Sequence, residues 1–185
     1  MALPFRVMLV TDWALGHQAL LERVTRALES RKGIAVQHRH PGVTTRQYFD
    51  EAREVAKVCA RFNAPLFVNS RLDVALALGA HLHLAAKALG VSDVKPHLRE
   101  GMLVSHAVHS LDEFQAGADL ALVSPVFMPR SKTVATTLGP EGFASLAAHA
   151  PCPVFALGGL TPQNAKLLPS AAGFAVMGAE ELGFD

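Results

Sequence analysis

Among the polar side chains of this sequence whose types could do chemistry is the imidazole of His109. It stands in Val108-His-Ser-Leu-Asp-Glu113, directly after an apolar run. An imidazole titrating near neutrality can both accept a proton and return it. A second chemistry is anion binding. Val154-Phe-Ala-Leu-Gly-Gly-Leu-Thr-Pro162 reads as a buried strand, a tight turn at Gly158-Gly159, and a helix start with Thr161 as cap and Pro162 at its first position. Backbone N–H groups at such a turn can cradle a phosphate. Gly178-Ala179 ends the last apolar run in a similar way. Further candidates also follow apolar runs: Gln37 and Arg39, Asn69 and Arg71, His83, His106 and, in a polar loop, Ser131 and Lys132. Each has a plainer explanation when taken alone. An arginine at a strand end is commonly an ion-pair partner, and a histidine there a packed ring.

What would gather these side chains is a steady alternation of strands and helices. Apolar runs predict strands at 6–11, 34–39, 65–69, 81–84, 102–107, 120–124, from 154 to the Gly158-Gly159 turn, and at 174–177. Helical periodicity marks 18–31, with Leu20, Leu21, Val24 and Leu28 on one face, and 45–62, with Phe49, Ala52, Val55, Ala56 and Cys59. Shorter helices are expected at 72–78, 111–116, 140–150 and after Thr161. The one at 111–116 carries a capping-box pattern, Ser110 with Glu113 three positions on. A weaker connecting segment runs to Glu100, interrupted by Gly90 and Pro96.

The strands are continuous apolar runs, the mark of a parallel sheet covered on both faces. Eight βα units predict an α/β fold, a TIM (β/α)8 barrel forming a single domain over 1–185. The chain is short against the ~250 residues usual for that fold, so its helices must be trimmed. An open doubly wound sheet would place G-x-G-x-x-G after the first strand, where Thr11-Asp12-Trp13 stands instead. In a barrel, the strand C-terminal ends form one face, which carries the active site, and the last two turns commonly bind phosphate. A phosphorylated small molecule is therefore the expected ligand.

Composition removes other classes. Seventeen basic residues balance 16 acidic ones without a basic block, which argues against a nucleic-acid surface. No apolar run approaches the ~20 residues of a membrane span. The start, Met1-Ala-Leu-Pro-Phe-Arg-Val7, lacks the charged and apolar regions of a signal peptide, so a cytoplasmic location is expected. Cys59 and Cys152 read as buried thiols. His81, His83 and His106 do not follow a recognised zinc spacing, and no metal is expected. His81, His97 and His149 are expected to be structural.

Taken in order, several segments resemble the thiamine phosphate synthase/TenI group of TIM barrels over nearly the whole chain. They are Val10-Thr-Asp12, Gln37-His-Arg39, Asn69-Ser-Arg-Leu-Asp-Val-Ala-Leu76, Val108-His-Ser-Leu-Asp-Glu113, Ala118-Asp119, Pro125-Val-Phe127, Ser131-Lys132, Ala156-Leu-Gly-Gly-Leu160 and Ala175-Val-Met-Gly178. The resemblance implies one of two activities. A synthase joins a pyrimidine pyrophosphate to thiazole phosphate, using magnesium held by acidic residues near the third and fourth strands. A TenI-type tautomerase aromatises a thiazole phosphate carboxylate tautomer by moving a proton, without metal.

Where the resemblance places the acidic residues, this chain has Ser70 and Ala85-Ala-Lys-Ala88. Pro41, Ala107 and Pro129 stand where a lysine, a serine and a threonine are typical. Magnesium pyrophosphate requires hard oxygen ligands. The resemblance thus implies a TenI-like, metal-independent thiazole tautomerase with His109 as general acid/base. Gly158, Gly159, Gly178, Ala179 and Ser131 would hold the phosphate. Gln37, Arg39, Asn69, His83 and Lys132 would face the rest of the substrate, with Arg39 and Lys132 toward an oxyanion. No cofactor is expected, magnesium entering only with a synthase activity at an altered site, which stays open as the alternative. A non-catalytic regulator that binds a phosphate ligand also stays open. The partner implied is a small phosphorylated thiazole, and a homodimer is left open.

Overall fold

A computed structural model describes residues 3–129 and 136–178. Eight parallel strands run in chain order: β1 (Val7–Val10), β2 (Ile34–His38), β3 (Leu66–Asn69), β4 (His81–Leu84), β5 (Val104–Val108), β6 (Leu120–Val123), β7 (Val154–Leu157) and β8 (Gly173–Val176). The ring closes where β8 pairs with β1, Ala175 opposite Met8. Between the strands lie α1 (His17–Ser30), α2 (Thr45–Arg61), α3 (Leu72–Leu78), α4 (Val91–Val94), α5 (Gly139–Ala148) and α6 (Pro162–Ala165). This is the expected TIM barrel with trimmed helices.

Successive side chains of a strand point to opposite faces, which explains why the apolar runs are unbroken. Val7 and Leu9, Ile34 and Val36, Leu82 and Leu84, and Val104 and Val108 point outward, into one layer with Leu20 and Val24 of α1 and Ala52 and Val55 of α2. Met8, Ala35, Phe67, Leu120, Leu122, Phe155 and Ala175 point inward. Phe5 enters from below, its ring edge-on to Phe67 at 5.7 Å and to Phe155 at 5.6 Å. Such edge contacts suit the ring quadrupoles. The lower half of the barrel is therefore filled mainly by apolar side chains, while several polar ones cluster toward its upper end.

Two local expectations are corrected. The segment 111–116 forms only a 3-10 turn over Leu111–Glu113, without a side-chain cap from Ser110. Phe114 turns extended there, so the helix cannot continue. Glu113 reaches one residue further back than a capping box requires, to the backbone N–H of His109. The connecting segment before Glu100 is more ordered than its breakers suggest. It folds as α4 and a 3-10 turn at Lys95–His97, because Val91 and Val94 are buried. The helix after β7 lasts only from Pro162 to Ala165, though its start is as read: Thr161 accepts the Asn164 N–H at 3.2 Å. Among the described residues no helix is long and apolar enough to cross a membrane. Both cysteines are free thiols, and burial pushes that of Cys59 up to about 12.

Candidate active site

Because all eight strands are parallel, their C-terminal ends share one rim. Four neighbouring strands each turn a polar side chain inward just below it. Gln37 lies two residues beyond inward Ala35, Asn69 two beyond inward Phe67, and His83 and Ser105 alternate with outward Leu82, Leu84 and Val104. Asn69, His83 and Ser105 are direct register partners across β3, β4 and β5. The opposite side of the mouth is apolar, formed by Leu122, Leu157 and Ala175. The wall is thus polar over β2–β5 and apolar over β6–β8.

Gln37 is only 2% exposed, and among the described residues its Nε2 has no hydrogen-bond partner. His83 is 5% exposed, with Nδ1 2.8 Å from the Ser105 hydroxyl. Burial first, then the nearby His106 and Arg39, push the His83 imidazole down to about 3. Arg39 is exposed at the rim, and its backbone is fastened to β1 by Thr11: the Arg39 N–H donates to Thr11 Oγ1 at 2.9 Å. Asn69 is fastened from behind by Tyr48 of α2, whose hydroxyl accepts the Asn69 N–H at 3.0 Å and lies 2.8 Å from the His38 carbonyl. Gln37, Arg39, Asn69 and His83 therefore occupy one polar side of one mouth.

His109 follows β5 on the same rim, with 44% of its side chain exposed. One carboxylate oxygen of Glu113 accepts its backbone N–H at 2.6 Å and contacts ring Nδ1 at 2.9 Å. The ring is thereby held through Nδ1, leaving Nε2 as the nitrogen that can work on a ligand. His106 does not join the mouth. It alternates outward, its ring beside Phe114, and its Nε2 accepts the Gln115 N–H at 3.3 Å. His81 points inward but at the lower end, where its Nδ1 accepts the Leu103 N–H at 3.0 Å.

Gly158 and Gly159 end β7 on this rim with φ of +102° and +60°. Their glycine identity has a firm structural cause. A Cβ on Gly159 would stand 2.3 Å from the Met128 carbonyl oxygen, and one on Gly158 would stand 3.0 Å from Pro125 Cα. The loop after β6 lies directly against this turn, and the Phe127 N–H donates to the Gly158 carbonyl at 3.0 Å. Gly178 follows β8 and is buried. Ser131, Lys132 and Ala179 lie outside the described residues.

The positions to which the family resemblance assigns magnesium can be tested against their donors. Ser70, with φ +57°, has its hydroxyl accepting the Ala85 N–H at 3.2 Å. Ala85, Ala86, Lys87 and Ala88 supply no carboxylate. Asp12, at the end of β1, uses its carboxylate to cap Ala14 N–H at 3.1 Å. Among the described residues no group of three or more His, Cys, Asp or Glu is placed to hold a metal ion. A hard cation with pyrophosphate wants several anionic oxygens. These residues do not fit it.

Sequence reading alone missed three supporting residues. Ser105 lay hidden inside an apolar run, Tyr48 inside a helical pattern, and Glu113 was read as part of a helix cap. Only Glu113 left a usable signal, a carboxylate four residues after a histidine in a turn region.

The whole barrel matches a family model described as thiamine monophosphate synthase, over residues 7–179. A thiamine-phosphate synthase of Clostridium perfringens (strain SM101 / Type A) is 32% identical over 181 residues, covering 94% of this chain and 87% of that protein. One of Chloroflexus aurantiacus is 32% identical over 183 residues, covering 95% and 84%. A solved thiamine phosphate pyrophosphorylase from Pyrococcus furiosus superposes with a TM-score of 0.81 at 26% identity, over 97% of this chain and 94% of that one. A deoxyribose phosphate aldolase from Aeropyrum pernix, with a TM-score of 0.68 at 15% identity and coverage of 96% and 87%, shares the fold alone.

Proposed function

We propose, since the chain belongs to the thiamine monophosphate synthase family, that its activity is a TenI-like, metal-independent tautomerisation of a phosphorylated thiazole. The observation that carries this reading is the His109–Glu113 pair, 2.9 Å between Nδ1 and the carboxylate, on the rim that also bears Gly158-Gly159. A proton shift needs one group that takes a proton and returns it, and nothing more. His109 Nε2 removes a proton from carbon as the electron pair moves into the conjugated ring. The resulting imidazolium is stabilised by Glu113 and gives the proton back at the far end of the shifted double bond. Atoms and charge balance with no further reactant.

In this reading the turn at Gly158-Gly159 takes the phosphate, with Gly178, Ala179 and Ser131 as the further residues proposed to bind it. Arg39 and Lys132 face a carboxylate, for which either cation is a suitable partner. Gln37, Asn69 and His83 line the remaining wall. To test it, the thiazole phosphate carboxylate tautomer is incubated with wild type and His109→Ala. Wild type is expected to turn over about 10²–10⁴-fold faster; equal rates would remove His109 and with it the reading.

A second reading is condensation of a pyrimidine pyrophosphate with thiazole phosphate, favoured by the names of the relatives, which are thiamine-phosphate synthases. The same preparation is assayed for magnesium-dependent pyrophosphate release. Release with thiamine phosphate formation would select that reading over the tautomerase. Binding of thiazole phosphate with neither turnover would leave a regulator.

A further inference from the structure

We propose that His83 is a second catalytic residue of the mouth, donating a hydrogen bond from Nε2–H to an acceptor on the reacting end of the substrate, and that Ser105 is the positioning residue that fixes this tautomer. The inference rests on the tautomerase reading and adds to it a group that bears no transferred proton.

The argument begins with one hydroxyl proton. Ser105 is fully buried, and two acceptors lie near its Oγ: His83 Nδ1 at 2.8 Å and the Leu82 carbonyl at 3.5 Å. An O–H···O bond is normally ~2.5–3.0 Å long, so the carbonyl is too far to hold the proton well. A buried hydroxyl left without an acceptor is costly. The proton is therefore directed at Nδ1, which must then be the bare nitrogen. A neutral imidazole carries one proton, and here it sits on Nε2.

Burial keeps the ring uncharged, with the Arg39 charge acting in the same direction. His83 can thus neither protonate the substrate readily nor compete with His109 for the migrating proton. It can donate a hydrogen bond. Among the described residues Nε2 has no hydrogen-bond partner, while Nδ1 is occupied. The strand alternation that turns Leu82 and Leu84 outward turns His83 inward, between Asn69 and Ser105. As a proton leaves carbon for His109, negative charge grows on the conjugated ring and its carboxylate. A fixed N–H aimed at that charge stabilises it most in the transition state.

The experiment combines nitrogen-resolved NMR of the histidine rings with steady-state kinetics of the full chain. Wild-type His83 is expected as a single Nε2–H tautomer, and Ser105→Ala as a mixture. Ser105→Ala should lose about 10- to 100-fold in kcat, the range for a residue that orients a working ring, with KM nearly unchanged. His83→Gln should lose about 10²–10³-fold. A merely structural serine would leave the tautomer unmoved. An Nδ1–H tautomer in wild type, or wild-type kcat in Ser105→Ala, overturns the proposal. Should wild type turn over no tautomer, the tautomerase reading falls by itself. The donor role is then decided by adding the thiazole phosphate carboxylate: a shift of the His83 Nε2 resonance supports it, and none overturns it.

Discussion

Lowering the pH from 8 to 5 should destabilise this protein well before its carboxylates protonate, because two histidines are locked in neutral form. His38 is 0% exposed and lies on the outer side of β2, and among the described residues neither ring nitrogen has a hydrogen-bond partner; the Tyr48 ring is 4.3 Å away and Trp13 5.5 Å. Burial, reinforced by His40, pushes it from 6.5 to about 3, against a smaller opposing effect of the Tyr48 backbone. His83 falls equally far inside the barrel. A base with a depressed native value binds protons preferentially in the unfolded chain. Its stability contribution is whole above about pH 6.5 and drains away as pH falls toward about 3. Each ring then loses about 2 kcal/mol at pH 5 relative to pH 8, and the two together about 4 kcal/mol. His81 and His106, also lowered by burial, act in the same sense. The total is a large share of the ~5–15 kcal/mol that holds a domain together. Urea denaturation at a series of pH values measures it, and His38→Phe should cut the acid loss by about 2 kcal/mol while leaving the rest. A free energy of unfolding that moves by less than about 1 kcal/mol across this range would refute the assignment of both rings as neutral and desolvated.

Three further substitutions probe the scaffold. Gly159→Ala should destabilise by at least about 2 kcal/mol and weaken thiazole phosphate binding, since its Cβ meets Met128 backbone at 2.3 Å in a left-handed conformation; thermal melts and ligand titration read both. Tyr48→Phe leaves the Asn69 N–H without its acceptor and should cost about 1–3 kcal/mol in urea denaturation, with a cavity too small to explain the loss. Thr161→Ala removes the α6 cap and should cost about 1 kcal/mol by the same measurement, while Thr161→Ser retains most of it.

The barrel was legible in the sequence because strands covered on both faces must be apolar on both faces, and helices covering them must repeat at three and four residues. Ile34 to His38 and Leu120 to Val123 show this directly. The turn at Gly158-Gly159 was legible as a turn, but its cause was not. The glycines are required by the loop after β6, a neighbour that no local spacing announces. His106 was grouped with the mouth because it ends an apolar run next to His109. Strand alternation sends it to the outer layer, and a one-residue uncertainty in where a strand begins is enough to reverse that assignment. Ser105 could not be found at all, since a serine inside a buried strand gains meaning only from the histidine across the register.

Two imidazoles at this end of the barrel, His109 and His83, show how surroundings set apart two members of one residue type. His109 is half exposed and faces a carboxylate, so a proton arriving on Nε2 meets a compensating charge. His83 is enclosed, faces a hydroxyl and shares its wall with Arg39, so a proton arriving there would meet none. The first setting suits transfer and the second suits a fixed dipole. A magnesium-bound pyrophosphate would need the opposite provision, several anionic oxygens at the ends of β3 and β4, where Ser70 spends its hydroxyl on Ala85 and Lys87 adds a like charge. The proposed proton shift would draw instead on His83, fixed by Ser105, and on His109 after β5, which faces Glu113.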